Sequence, residues 1–303
     1  MKFNRRNFIF AGLGAVGFAV VGKTLQALSN ETAYPNSNWE SIALPAQPPR
    51  LRFVCLGDTG TGKQGQYAIA RAMKDYHQQH PFDFAILTGD NIYNNGEIEK
   101  VTRVFERPYQ PLLELGVQFY ACLGNHDIRT DNGNAQLNYP GFNMTGRYYT
   151  FRRDSVQFFA LDTNKNADWD NQLPWLENQL RSSDAPWKIL FGHHPPYTSG
   201  LHWSDRRLRR RLQPLLKTYG VPLYLNGHNH NYERTHPIDG TTYLTCGSGA
   251  KTRRVGRSSW TARAFDWLSF VAIAVYSDQI ILRAIDEYNH IIDQAVIPLP
   301  EQI

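Results

Sequence analysis

Cysteine is scarce in this chain: Cys55, Cys122 and Cys246 are the three among 303 residues. The odd count excludes a fully paired disulfide framework, and the spacing matches neither a CxxC redox pair nor a zinc ribbon. Each lies in an apolar run just before a motif or a glycine-rich loop, the usual setting of a buried free thiol; two could pair only if their strands are neighbours. A long apolar run is missing too. A spanning helix needs about 20 apolar residues, and the uncharged stretch 7–22 is shorter and broken by glycine. Internal repeats are absent, which excludes a solenoid. An excess of one charge is only superficial. The formal charge is +5, but residues 1–29 hold Lys2, Arg5, Arg6 and Lys23 and no acid, so removing those four leaves +1. That removes the basis for a polyanion binder, and no nucleic-acid partner is expected. What remains, 42% hydrophobic and 19% charged, is an ordinary globular composition.

The first residues read as an export signal. Arg5-Arg6 precede the uncharged run, and Ala27-Leu28-Ser29 offers small residues for cleavage after Ser29. This resembles a twin-arginine signal, which predicts a periplasmic or extracellular destination. An uncleaved N-terminal anchor is the alternative, and only then is stable membrane association expected. Residues 1–29 are thus assigned to the signal, 30–50 to a proline-bearing linker and 51–303 to the functional domain. The oligomeric state is not legible.

Within that domain, apolar runs at 51–56, 84–87, 117–123, 188–191 and 221–225 read as buried strands. Helical spacing recurs at Ile69, Ala72, Met73 and Tyr76, at Ile98, Val101 and Phe105 up to Pro108, at Leu173, Leu176 and Leu180, and at Leu208, Leu212, Leu215 and Leu216. Strand pairing is expected for 147–151 with 155–161, and the end of the chain from 241 reads mostly as strand. Alternation followed by a strand-rich end implies stacked sheets with helices outside.

Five short segments carry the chemistry: Gly57-Asp58-Thr59-Gly60, Gly89-Asp90-Asn91-Ile92-Tyr93, Gly124-Asn125-His126-Asp127, Gly192-His193-His194-Pro195 and Gly227-His228-Asn229-His230. Each supplies a carboxylate, phenol, amide oxygen or imidazole, and most follow an apolar run, where a strand would end. In a regular strand His228 and His230 would share a face, so an irregular loop is expected there, with Gly227 permitting its unusual backbone. The sequence Gly57-Asp58-Thr59-Gly60-Thr61-Gly62-Lys63-Gln64 nearly matches a P-loop, but Gln64 stands where Ser or Thr is needed, and a nucleotide loop leaves the other four segments unexplained.

Taken together the five segments resemble the purple acid phosphatases, of the low-molecular-weight single-domain type, within the calcineurin-like metallophosphoesterases. The resemblance spans about residues 51–250. It implies an α/β fold, a four-layer αββα sandwich of two mixed sheets flanked by helices. It also implies a binuclear centre of Fe(III) and a divalent metal (Fe, Zn or Mn). Asp58, Asp90, Tyr93 and His230 would hold the ferric ion; Asp90, Asn125, His193 and His228 would hold the divalent one, with Asp90 bridging. The split suits the donors, since phenolate favours a hard ferric ion and neutral amide and imidazole a softer one. The activity implied is hydrolysis of small phosphate monoesters by metal-bound hydroxide, with His126 and His202 as proton donors to the leaving group. His194 is a less certain member, and Asp127 and Asp162 read as supporting or loop-capping groups.

The same core would serve a phosphodiesterase or pyrophosphatase, and a non-hydrolytic redox-active iron or phosphate-binding protein is the reading from another class. Two basic clusters, Arg206 to Arg211 and Lys251 to Arg257, are candidates for drawing phosphate toward the site; the first could equally be a solvated helix face. The short segment between Asp162 and Leu173 leaves no room for a long inhibitory loop, so the site is expected to be open.

Overall fold

The computed structural model describes residues 42–300. The expected export signal and most of the expected linker therefore lie outside the described residues. Residues 42–50 form neither helix nor strand. Among the described residues no helix is long and apolar enough to cross a membrane.

The elements are β1 (Leu51–Leu56), α1 (Gln64–Gln79), β2 (Phe84–Leu87), α2 (Arg107–Glu114), β3 (Gln118–Ala121), α3 (Asn134–Leu137), β4 (Tyr149–Arg153), β5 (Val156–Ala160), α4 (Trp169–Ser182), β6 (Trp187–Phe191), α5 (Arg206–Thr218), β7 (Leu223–Asn226), β8 (Tyr232–Thr235), β9 (Thr242–Cys246), β10 (Thr261–Phe265), β11 (Ser269–Val275), β12 (Gln279–Asp286) and β13 (Ile291–Pro298). One sheet runs β13-β12-β11-β1-β2-β3 and the other β10-β8-β9-β7-β6-β5-β4. Both are mixed: β1, β2 and β3 are parallel while β11 joins β1 antiparallel, and β5, β6, β7 and β9 are parallel between antiparallel edges.

The parallel strands are apolar on both faces, as buried parallel strands must be. Between the sheets, Phe158 meets Phe53 and Phe84 edge-on at 5.2 and 5.5 Å. Ile69, Ala72 and Met73 of α1 are buried. Leu176 and Leu180 of α4 pack with Leu208, Leu212 and Leu216 of α5 and with Tyr224 of β7 in a second cluster. The result is the expected sandwich of two mixed sheets flanked by helices.

Three local expectations are corrected. Pro108 does not stop a helix. Residues 98–106 are irregular helical turns that run on into α2, and Pro108 sits in the first turn of α2. Strand β8 was not anticipated, and β10 falls in the strand-rich end without having been singled out; they are four- and five-residue segments at one edge of the second sheet. The helical α3 was also unforeseen.

Candidate metal centre

The carboxyl ends of β1, β2, β3, β6 and β7 deliver Asp58, Asp90, Asn125, His193 and His228 two to four residues past each strand, the general location of sites in α/β sheets. The predicted residues converge. The Tyr93 hydroxyl lies 2.7 Å from Asp90 Oδ2, 3.0 Å from Asp58 Oδ1 and 3.3 Å from His230 Nε2. His193 Nε2 lies 3.1 Å from Asn125 Oδ1, 3.2 Å from His228 Nδ1 and 3.5 Å from Asp90 Oδ1. Asp90 thus faces both groups, one oxygen toward each.

The backbone is bent to achieve this. Asp58, Asp90 and His228 have φ of 58°, 53° and 69°, left-handed values that cost about 1–3 kcal/mol each and persist where surroundings dictate them. The unusual angle expected at Gly227 falls on His228 instead. Gly227 is required for a different reason: a Cβ there would come within 2.5 Å of Asp58 Oδ2.

The donor set fits a cation. His193 Nδ1 donates to the Thr88 carbonyl at 2.8 Å, which leaves the Nε2 lone pair facing the Asn125 and Asp90 oxygens. One proton shared with His228 cannot satisfy all of these contacts. His230 Nδ1 is buried without a hydrogen-bond partner, and its Nε2 faces Asp58 Oδ1 at 3.3 Å. Burial, then the charges of Asp58 and Asp90, hold the Tyr93 phenol far above its ordinary value, so a phenolate there needs a cation beside it. Burial alone would raise Asp58, but its hydrogen bond to His230 and the nearby imidazoles bring it well below the usual carboxylate range. Clusters of Asp58, Asp90 and His193, and of His193, His194 and His228, each bring their ligand atoms within 4.8 Å of one another. His194 is thus beside the site, with Thr163 Oγ1 at 2.9 Å from both its backbone N and its Nδ1. Burial, then His193, pushes the His194 imidazole down to about 3.

His126 and His202 flank the centre from opposite sides. The His126 ring packs on Tyr93 with centroids 4.6 Å apart, and the His202 ring on His228 at 4.4 Å. Each meets a guanidinium: Arg129 Nη2 is 3.2 Å from His126 Nε2, and Arg253 Nη1 is 2.6 Å from His202 Nε2. A guanidinium only donates, so in this arrangement both Nε2 atoms present lone pairs. Each ring can act as an acid only after gaining a proton and releasing its arginine.

Around these groups Asp127 and Asp162 act as the supporting residues the sequence suggested, while Gln136 and Glu233 escaped sequence reasoning. Gln136 and Asp127 join the Asp90 and Asn125 loops: Asp127 accepts the amides of Gly124, Asn91 and Ile92 at 2.8, 3.1 and 3.0 Å and the Gln136 side chain at 3.1 Å. Burial and the Asp90 charge nevertheless push Asp127 up to about 7. Asp162 caps its own loop at Asn164 N and meets Arg147. Glu233 is buried and accepts from Thr198 Oγ1, Ser199 N and Thr261 Oγ1. Of the basic clusters, Lys251 places Nζ 3.5 Å from the Tyr93 ring centroid, while Arg209 stacks on Tyr197 at 3.7 Å.

Comparison with known proteins identifies the family. The calcineurin-like phosphoesterase family matches residues 51–232. Purple acid phosphatase 17 of Arabidopsis thaliana is 32% identical over 236 residues, covering 67% of this chain and 70% of that protein. Mouse tartrate-resistant acid phosphatase type 5 is 29% identical over 242 residues, covering 67% and 74%. The structure of purple acid phosphatase PPD1 from yellow lupin superimposes with a TM-score of 0.72 at 21% identity, covering 84% of this chain and 55% of that one. The chain belongs to the calcineurin-like phosphoesterase family, among its purple acid phosphatases, and is a metal-dependent phosphoesterase.

Proposed function

We propose that this protein is an exported acid phosphatase that hydrolyses small phosphate monoesters at a binuclear centre. Asp58, Asp90, Tyr93 and His230 would hold Fe(III), and Asp90, Asn125, His193 and His228 a divalent ion. The observation that carries the reading is Asp90, whose two oxygens face the two donor groups separately. Two bound cations would neutralise phosphate oxygens and lower the pKa of a water molecule so that a nucleophile exists in acid.

The chain's own residues do the rest. The His193 tautomer is fixed by Thr88, and Asp58 is held by the His228 amide at 2.8 Å. His126 or His202 would hand a proton from Nε2 to the leaving oxygen once its arginine contact opens. The freed guanidinium of Arg253 would then be available to a phosphate oxygen. Only residues 161–168 separate β5 from α4, which supports an open site that needs no proteolytic activation.

Metal analysis tests the reading. Two metals per chain are expected, one of them iron, falling together in Asp90→Asn. A protein that retains a single metal, or the same metals after that substitution, would contradict it.

A further inference from the structure

Charge in this chain is polarised. Residues 203–211 hold five arginines and one acid, and residues 251–257 hold Lys251, Arg253, Arg254 and Arg257 and no acid. Each segment carries +4, whereas the whole chain beyond residue 29 carries +1, which leaves −7 for everything outside the two segments. The fold brings the segments together. Gly200 bridges Val255 antiparallel, and Gly256 N donates to Ser199 O at 3.0 Å. In that register Leu201 comes opposite Arg254, and Trp203 shares a cavity wall with Arg206 and Arg207.

An apolar tip stands on this basic ground. His202 turns inward, its backbone paired with Asn229 and its ring 4.4 Å from that of His228. Its neighbours turn outward: Leu201 is 64% exposed and Trp203 92% exposed. Among the described residues Arg206, Arg207, Arg210, Arg254 and Arg257 are all exposed and form no ion pair. Of the acids nearby, Asp168 and Asp205 cap α4 and α5, which leaves Asp170 against five guanidinium groups. The base of the tip is pinned. Buried Glu233 accepts from Ser199 N at 2.6 Å and from Thr261 Oγ1 at 2.8 Å, and so ties the stretches on either side of the bridge to β8.

Cations alone would draw any polyanion, but a polyanion gives an exposed indole and isobutyl group nothing to bury in. A lipid surface uses both parts. Tryptophan favours the membrane–water interface, and each arginine near an anionic leaflet adds attraction. Two apolar side chains are too few to hold a protein on a neutral bilayer, so the charge is required as well.

We propose that Leu201, Trp203 and the surrounding arginines form a docking patch for an anionic phospholipid surface. The contact is reversible, unlike a hydrophobic anchor, and weakens with salt. Because His202 lies against His228, a docked protein holds the metal centre beside the headgroups. The inference does not depend on the phosphatase reading.

The test presents the full chain with vesicles of phosphatidylcholine mixed with phosphatidylglycerol, and with vesicles of phosphatidylcholine alone. Sedimentation should show binding to the mixed vesicles, falling as salt rises, and little to the neutral ones. Tryptophan emission should shift to the blue on the mixed vesicles, and Trp203→Phe should abolish the shift. Residues 1–29 contain no tryptophan, so this signal does not report on that segment. Leu201→Ser with Trp203→Ser should weaken binding about 10-fold. Arg207→Gln with Arg254→Gln should weaken it about 25-fold, about fivefold per arginine. Denaturant midpoints matching wild type would show that both variants fold. Equal binding to the two vesicle types, no emission shift, or full binding by both variants would overturn the patch. Binding that survives the apolar substitutions but not the arginine ones, and that soluble polyphosphate displaces from wild type, would also overturn it and mark a site for a soluble polyanion.

Discussion

Asn229 pairs with the backbone of His202 as a neighbouring strand would. His202 N donates to Asn229 Oδ1 at 2.9 Å, and Asn229 Nδ2 donates to His202 O at 3.0 Å. The same Nδ2 reaches Thr198 Oγ1 at 3.0 Å, and Asn229 itself is buried. A residue lying between two candidate ligands therefore fixes the loop that carries a candidate proton donor.

Asn229→Ala should lower kcat by about 10²-fold, the cost of misplacing a catalytic group by roughly 1 Å, with metal content unchanged. Steady-state kinetics beside metal analysis checks this. Undiminished kcat would show that His202 needs no such anchor, and loss of metal would place the effect on His228 and His230 instead.

Lys251 stands over Tyr93. A phenolate bound to Fe(III) gives a visible charge-transfer band, which Tyr93→Phe should abolish. The ammonium 3.5 Å from the ring centroid stabilises the phenolate electrons, so Lys251→Met should move the band to longer wavelength. Absorption spectra of the three proteins decide it. A colourless active protein holding zinc or manganese would contradict the ferric assignment.

Asp293 of β13 ties the two sheets together. It accepts from Tyr232 Oη at 2.7 Å and from Arg234 Nε at 2.6 Å, both on β8, and is fully buried. Asp293→Ala leaves Arg234 without its partner and should destabilise the fold by about 3–5 kcal/mol. Tyr232→Phe, which removes one hydrogen bond, should cost about 1 kcal/mol. Urea titrations of the variants give both values.

His80 predicts a pH effect away from the metal centre. Burial, then the charges of Arg283 and Arg52, hold its imidazole below the ordinary value. As pH falls below about 6.5, the unfolded chain takes this proton before the native one does. Stability therefore falls with falling pH across the window down to the native value. His80→Gln should flatten that decline relative to wild type in denaturant midpoints taken at pH 5 and 7.5. A steeper decline would reverse the sign assigned here. The ring is only partly shielded from solvent, so the change is small.

The sandwich and the seven candidate ligands are readable in the sequence because their signals are local. An apolar run ends, a glycine permits close approach, and a ligand follows. Other supporting residues are hidden because their roles depend on long-range contacts: Gln136 reaches Gly96 O, 40 positions away, and Thr163 reaches His194, 31 away. Arg129 and Arg253 are ordinary surface-type arginines until the fold sets each against a histidine. Strands β8 and β10 carry Glu233, Arg234 and Arg263 and so present no apolar run of the kind that marks β2, β6 and β7. At Pro108 the stop signal fails because the irregular turns of 98–106 run on into α2. At Gly227 glycine signals an unusual backbone angle or a close approach; the Asp58 carboxylate makes it the latter.

The most direct test is hydrolysis of an aryl phosphate monoester and its diester, side by side from pH 4 to 9, with Asp90→Asn as the blank. The account predicts monoester turnover peaking in acid and abolished in the blank. Diester preference or an alkaline optimum would contradict the acid monoesterase reading, and turnover no higher than the blank would contradict hydrolysis at this centre altogether.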